Sequence, residues 1–332
     1  MAHCAKAPGV ANSARSQSHV RFVTSMTVIP RIDAAALTDP SHWDHTRSME
    51  MLAKAATEVG FLTLYNTPVG TAQIEALIAQ YRAFFHQPLA VKSAVDMART
   101  GANRGWGASG SEQVDPDANP DYKEVFDCGL ELPEGDPHTA LSVYAPNQWP
   151  EAPEGFRDAL QAYYASATGF ALKLLSAIAK SIGAPAGFFD AQFSRPMALL
   201  RGNFYPARPD WAGDKDFGIA AHTDYGCLTF LATDGAPGLE VQGRDGSWQA
   251  VQAPVGEFVI NFGEMLEMWT AGRMVATMHR VRGTTEERIS IPLFFNPNFE
   301  ANVAPIGSEN VVLAGLHLTR RFEETYLHLK NG

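Results

Sequence analysis

The spacing of apolar positions changes near Pro196. Before it, apolar residues recur every three or four positions, the period of a helix with one buried face. Met51, Leu52, Ala55 and Val59 predict a helix over Asp44–Val59 that stops at Gly60, followed by a short apolar strand at Phe61–Tyr65. Ile74, Leu77, Ile78, Tyr81 and Phe85 share one face of a second helix, capped by Thr71 and stopped by Pro88. A longer helix is predicted from about Glu154 to Ile182, with Phe156, Leu160, Tyr163, Tyr164, Leu174 and Ile178 as its stripe and Gly183 and Pro185 as its end. In between, Ala98–Tyr122 turns polar and rich in Gly, Asn, Asp and Pro. Such a stretch is long enough for a functional loop.

Beyond Pro196, short apolar runs alternate with turn residues: Met197–Tyr205, Ile219–His222, Cys227–Leu231, Leu239–Gln242, Trp248–Val251, Phe258–Phe262, Met278–Val281 and Ile289–Phe295. Short strands at this spacing predict a double sheet. The expected fold is therefore mainly β with flanking helices: a double-stranded β-helix (jelly-roll) core behind an N-terminal helical region. The chain divides into a helix-rich region over 28–150, a long core helix within 151–194, the jelly roll over 195–299, and a C-terminal segment over 300–332 with a helix from Leu318 to about Leu329. One compact unit is expected rather than two independent domains.

Composition narrows the function classes. Of 332 residues, 45% are hydrophobic and 19% charged, as in an ordinary soluble protein. A formal charge of −10 argues against a nucleic-acid or acidic-membrane surface as the main partner, while leaving room for a small basic pocket. Cys4, Cys128 and Cys227 lie far apart without CxxC spacing, which suits a reducing, cytoplasmic setting and offers no thiolate zinc site. No apolar run is long enough to cross a bilayer. The first residues contain Lys6, Arg15 and Arg21 but no acid, as a transit peptide would. Pro8, Gly9 and the lack of an amphipathic period favour instead a tail or mis-assigned start over 1–27, with Met26 as the alternative first residue.

Chemistry concentrates in the β-rich half. In His222-Thr223-Asp224 the imidazole and carboxylate stand two apart, a spacing that turns both to one side of a strand. His279 follows several strands later, and His317 is a further histidine nearby. Two histidines and a carboxylate on one face of an octahedron leave three positions open, the pattern of Fe(II) oxygenases. Arg288 and Ser290 again share one strand face. A buried arginine needs a carboxylate, and its planar fork suits a bidentate one. That carboxylate can belong to a ligand or to the protein itself.

Further segments stand around these residues in a telling order. They include Ile29-Pro30-Arg31-Ile32-Asp33, Gly60-Phe61, Arg104-Gly105-Trp106, Asp121-Tyr122-Lys123-Glu124 and Asn203-Phe204-Tyr205-Pro206. Downstream come Asp245-Gly246-Ser247-Trp248, Val259-Ile260-Asn261-Phe262-Gly263-Glu264, and Gly272-Arg273 ahead of His279-Arg280-Val281. From about Val28 to Phe299 the chain resembles the isopenicillin N synthase-like branch of the Fe(II)/2-oxoglutarate-dependent dioxygenase superfamily. Ala207 and Glu264 depart from it, where the family often has Pro and Asp.

The resemblance implies an enzyme that uses Fe(2+), 2-oxoglutarate and O2 to oxidise a small molecule by hydroxylation, desaturation or cyclisation, releasing succinate and CO2. It implies His222, Asp224 and His279 as iron ligands. Arg288, Ser290 and Tyr205 would hold the distal carboxylate of 2-oxoglutarate, with Asn203 in support. Arg104, Lys123 and Phe295 are substrate-pocket candidates, although Lys123 also reads as a solvated charge or a partner of Glu124. Some family members keep the same iron centre as oxidases and turn the Arg288–Ser290 pair to a substrate anion; another breaks up 2-oxoglutarate itself to form ethylene. A non-catalytic metal-binding sandwich is the reading from outside enzymology.

Overall fold

Local signals account for most of the helical half. In this computed structural model, residues 29–99, 102–113, 119–185, 187–210, 212–213 and 217–325 are described. The proposed tail lies outside them. Asp33 closes strand β1 (Arg31–Asp33), and its carboxylate accepts the Ala35 amide to cap helix α1 (Ala34–Thr38). The expected Asp44–Val59 helix consists of α2 (His45–Lys54) and a π turn over Ala55–Val59, where the Gly60 amide reaches back to Ala55 O at 2.8 Å. Strand β2 (Phe61–Tyr65) follows. In α3 (Thr71–Phe85) the cap position belongs to Gly70, and Thr71 is already helical, so Thr71 is not the cap. After α4 (Leu89–Ser93) come β3 (Gly105–Gly107) and β4 (Glu124–Gly129), both unanticipated. Nearly every residue of these two strands is buried, so neither carries the alternation that marks a half-exposed strand. Helix α5 (Phe156–Ser181) starts after Gly155, slightly later than expected.

The β-rich half follows the expected runs closely: β5 (Leu199–Tyr205), β6 (Ile219–His222), β7 (Leu228–Thr233), β8 (Leu239–Gln242), β9 (Trp248–Ala250), β10 (Phe258–Phe262), β11 (His279–Val281) and β12 (Arg288–Phe295). Helix α6 (Glu264–Trp269) sits between β10 and β11, and α7 (Ala314–Thr325) begins before the expected Leu318. The expected end of that helix lies outside the described residues. The larger sheet runs β1-β2-β10-β7-β12-β5-β4-β3, and the smaller runs β6-β11-β8-β9. Strands β5 to β12 thus form a jelly roll, and the N-terminal region extends the larger sheet at both edges. No helix among the described residues is long and apolar enough to cross a membrane.

Side-chain alternation divides the larger sheet. Leu200, Phe204, Phe230, Ile260, Ile291, Leu293 and Phe295 join the core shared with α3 and α5. Tyr205, Val259, Leu239, Val241 and Val281 form a second core between the sheets, beside Phe61 and Val59. That inner core fills one part of the sandwich. The remainder is a cavity of about 300 Å³.

Gly60 ties the helical half to the sandwich. Its φ is 75°, and a Cβ there would lie 2.1 Å from Thr277 Oγ1 and 2.7 Å from Val275 O. The Thr277 hydroxyl donates to Val59 O at 2.8 Å, just ahead of β11. Gly60→Ala is therefore expected to lower unfolding free energy by about 2–4 kcal/mol through strain and displacement of the segment before His279. Urea denaturation of the variant and the parent checks this.

Candidate active site

His222 ends β6, His279 begins β11, and antiparallel register sets them directly opposite one another. Their ring centroids are 4.3 Å apart. Asp224 lies past the end of β6, in a turn rather than on the strand. Hydrogen bonds from Glu264 N to Asp224 O and from Met265 N to Gly226 O hold that turn against α6. The Asp224 Oδ1 atom is then 3.8 Å from His222 Nε2 and 3.6 Å from His279 Nε2. One ligand atom from each residue lies within 4.8 Å of the others.

The hydrogen bonds around these groups leave the correct atoms free for a metal. Nδ1 of His222 is 2.8 Å from Ala220 O, and Nδ1 of His279 is 3.0 Å from Thr277 O. A carbonyl can only accept, so Nδ1 carries the hydrogen and Nε2 keeps its lone pair. Asp224 Oδ2 accepts Asn261 Nδ2 at 2.6 Å and the Thr229 hydroxyl, which leaves Oδ1 facing the rings. Burial, reinforced by His279, lowers the His222 pKa to about 4. Burial alone would raise Asp224, but the His279 and His222 imidazoles and the Thr229 hydroxyl outweigh it and hold it well below the usual carboxylate range. His279 moves up despite burial, because Asp224 faces it. This donor set, with both Nε2 atoms and Oδ1 turned to one point, fits a divalent iron.

A second cluster stands on neighbouring strands of the larger sheet. Arg288 pairs with Tyr205, and Ser290 with Asn203, across β12 and β5. The Arg288 side chain is buried, with its guanidinium carbon 5.1 Å from the Tyr205 ring centre. Its Nε and Nη1 have no hydrogen-bond partner, and it makes none of the ion pairs among the described residues. Asn203 Nδ2 donates to Ser290 Oγ at 3.4 Å, while Asn203 Oδ1 is unpartnered. Among the described residues, the internal ion pair left open by the sequence is therefore not made. A buried guanidinium in this condition is costly until an anion arrives. Both clusters line the same cavity.

Comparison with known proteins is decisive at this point. Residues 29–152 match the family described as non-haem dioxygenase in morphine synthesis, N-terminal, and residues 196–297 match the 2OG-Fe(II) oxygenase superfamily. A 2-oxoglutarate-dependent dioxygenase of Didymella fabae is 30% identical, covering 87% of this chain and 94% of that protein. A full-length protein of Neurospora crassa, solved in complex with alpha-KG, superposes with a TM-score of 0.80 at 26% identity, over 90% of this chain and 96% of that one. A 2OG-Fe(II) oxygenase family protein of Caulobacter crescentus gives 0.78 at 28% identity, over 90% and 99%. The chain belongs to the 2OG-Fe(II) oxygenase superfamily. It is an Fe(II)- and 2-oxoglutarate-dependent dioxygenase.

In this dioxygenase the far wall of the cavity is charged yet buried. Lys123 Nζ contacts Glu112 at 2.6 Å and Asp121 at 2.9 Å. Lys123 is thus neither solvated nor bound to Glu124, whose partner is Lys92 at 2.7 Å. Arg201 forks onto Asp127 at 2.8 and 2.6 Å and also reaches Glu112. Arg104 lines the cavity with its guanidinium on the Asn103 and Val143 carbonyls. Phe295 requires correction: it faces the opposite side of β12 and stacks on Phe193 at 5.1 Å. Phe294 lines the cavity instead. Counting by twos from Arg288 and Ser290 selects Phe294, so period-two alternation already contained this answer. His317 lies on α7 and is not part of the His–Asp–His cluster.

The sequence reading also missed Asn261 and Thr229, whose importance rests on contacts across strands rather than on spacing. Asn261→Ala should weaken Fe(II) binding roughly 10–100-fold by freeing Asp224. Metal titration with Co(II) as a spectroscopic substitute, alongside a melting curve, separates this loss from unfolding.

Proposed function

We propose that His222, Asp224 and His279 hold the iron, and that Arg288 and Ser290 receive the distal carboxylate of 2-oxoglutarate with Tyr205 and Asn203 beside them. The observation that carries this reading is the carboxylate-free guanidinium of Arg288, buried in the same cavity as the His–Asp–His cluster. When bound, iron and co-substrate supply oxygen activation, and the oxidation of substrate is coupled to release of succinate and CO2. The chain's own residues set geometry and solvent access. His222, Asp224 and His279 would hold the ion together, and the cavity beside them would leave it open to small ligands. Ser290 offers a hydroxyl donor next to the Arg288 fork, so the two together would orient a bound carboxylate.

The substrate is a small molecule that occupies this cavity, whose rim includes α7 and residues 102–113. Leu318 and Phe322 of α7 line the cavity, and Gln113 N donates to Thr325 O across that rim. Arg104 and Lys123 act on the substrate through the charged wall they belong to. The Neurospora crassa protein has been solved with thymine and with 5-formyluracil, in keeping with a compact substrate here. Hydroxylation, desaturation or cyclisation depends on which substrate hydrogen the wall presents. The buried free thiols Cys128 and Cys227 suit a reducing compartment, the cytoplasm.

Oxygen uptake and succinate release by anaerobically purified, Fe(II)-loaded protein test the assignment. Asp224→Ala is expected to abolish iron-dependent turnover. Arg288→Ala should raise the 2-oxoglutarate KM on the order of 10²–10³-fold, the cost of removing one member of a buried, hydrogen-bonded charge pair. An unchanged KM would remove Arg288 from that role.

A further inference from the structure

Among the described residues, the buried charges of the far wall and the layer behind it cancel. Lys123, Arg201, Arg104 and Glu112 line the cavity, Asp121 and Asp127 stand behind them, three of each sign and all buried, and the exposed Glu323 lies at the rim. Each of these carboxylates touches a cation: Glu112–Lys123 at 2.6 Å, Asp121–Lys123 at 2.9 Å and Asp127–Arg201 at 2.6 Å. Asp224, with its side chain 10% exposed, and the buried, unpaired Arg288 add one further charge of each sign without touching. Loading the site leaves the sum unchanged, because a dication and a dianion enter together. A substrate group carrying a net charge into this space would be the one charge without a counter-charge, and its lost hydration would go unreturned.

We infer that the primary substrate enters as a polar molecule of no net charge, and that Glu112 sets this preference. This rests on the dioxygenase reading of the same cavity. Glu112 is singled out by position: it lines the cavity and contacts both Lys123 and Arg201, whereas Asp121 and Asp127 do not line it. Burial would raise its pKa, but Arg201 and Lys123 outweigh burial and keep it ionised. Without its charge, two cations would face the cavity with too little compensation, and the wall would favour anions. Asn103 gives the opposite handle. It lines the cavity, is buried, and its Oδ1 has no hydrogen-bond partner. Asn103→Asp adds one negative charge with almost no change of shape.

The test uses matched sets of small compounds, each a carboxylic acid with its primary amide, methyl ester and corresponding amine. Binding is measured anaerobically by calorimetry on the full chain, metal-free and loaded with Zn(II) and 2-oxoglutarate, and succinate release is followed on the Fe(II) form. Uncharged members are expected to bind about 30-fold or more tightly than the acid or amine of the same set, as uncompensated burial of charge requires. Glu112→Gln should move the acid-to-amide ratio about 10-fold toward the acid, and Asn103→Asp should move the amine-to-amide ratio toward the amine. The second variant decides the matter if the first does not fold. Tightest binding by an acid or amine, no binding by any uncharged member, or ratios unmoved in both folded variants overturns the inference. Acid-stimulated succinate release sinks the charge inference alone. Absence of any 2-oxoglutarate-dependent succinate release in the wild type removes the dioxygenase reading beneath it.

Discussion

The antiparallel register of β6 against β11 is the constraint on which the centre depends. It places His222 across from His279, and a slip of one residue on either strand would turn an imidazole to the opposite face. The register does not rest on those two short strands alone. β11 is paired on its other side with β8, His279 against Val241. The segment before His279 is pinned by the Thr277 hydroxyl on Val59 O, where the π turn and Gly60 leave no room for a side chain. Apolar packing of Val281, Val241 and Leu239 between the sheets supplies the remaining hold.

Around this register the protein places polar groups where each has one geometry open to it. Asp224 has Oδ2 committed to Asn261 and Thr229, so only Oδ1 faces the imidazoles. Thr223, between two ligand positions, donates to Glu264, which also meets Arg321 of α7 at 3.1 Å. Tyr225 shares a 2.6 Å hydrogen bond with Thr325 and lies under the Arg321 guanidinium. The helix that closes the cavity is thus joined to the turn that carries the carboxylate. Substrate-side contacts and metal-side contacts belong to one network, which favours a cavity pre-organised before the reaction rather than assembled during it.

Charge and dryness work together in the same space. Arg288 stands without a counter-ion, a state that costs free energy and is relieved by an anionic ligand. On the opposite wall Lys123 and Arg201 are paired with carboxylates at hydrogen-bonding distance, while Arg104 rests on backbone carbonyls. The Arg288 end of the cavity is therefore an end that an anion stabilises.

Local chemistry in the chain was enough to place the eight strands of the jelly roll and the three long helices, and to single out His222, Asp224, His279, Arg288 and Ser290, which the fold brings to one cavity. Period-two and period-3.6 patterns are short-range consequences of which face is buried, and spacing within one strand is preserved by the backbone itself. Strands β3 and β4 were not legible, because strands buried on both faces carry no alternation. Lys123, Asn261, Thr229 and Glu112 acquire their roles only through contacts between distant segments. Lys123 looked solvated until Glu112 and Asp121 were brought to it by the fold. Phe295, by contrast, was within reach of period two, since Arg288 and Ser290 share their face with Phe294, while Phe295 packs on Phe193 in the core. The sequence by itself determined which chemistry the chain carries. The tertiary structure decided which groups share a cavity and which are already paired, because burial and long-range contact set the energy of a charge more than its neighbours in the chain do.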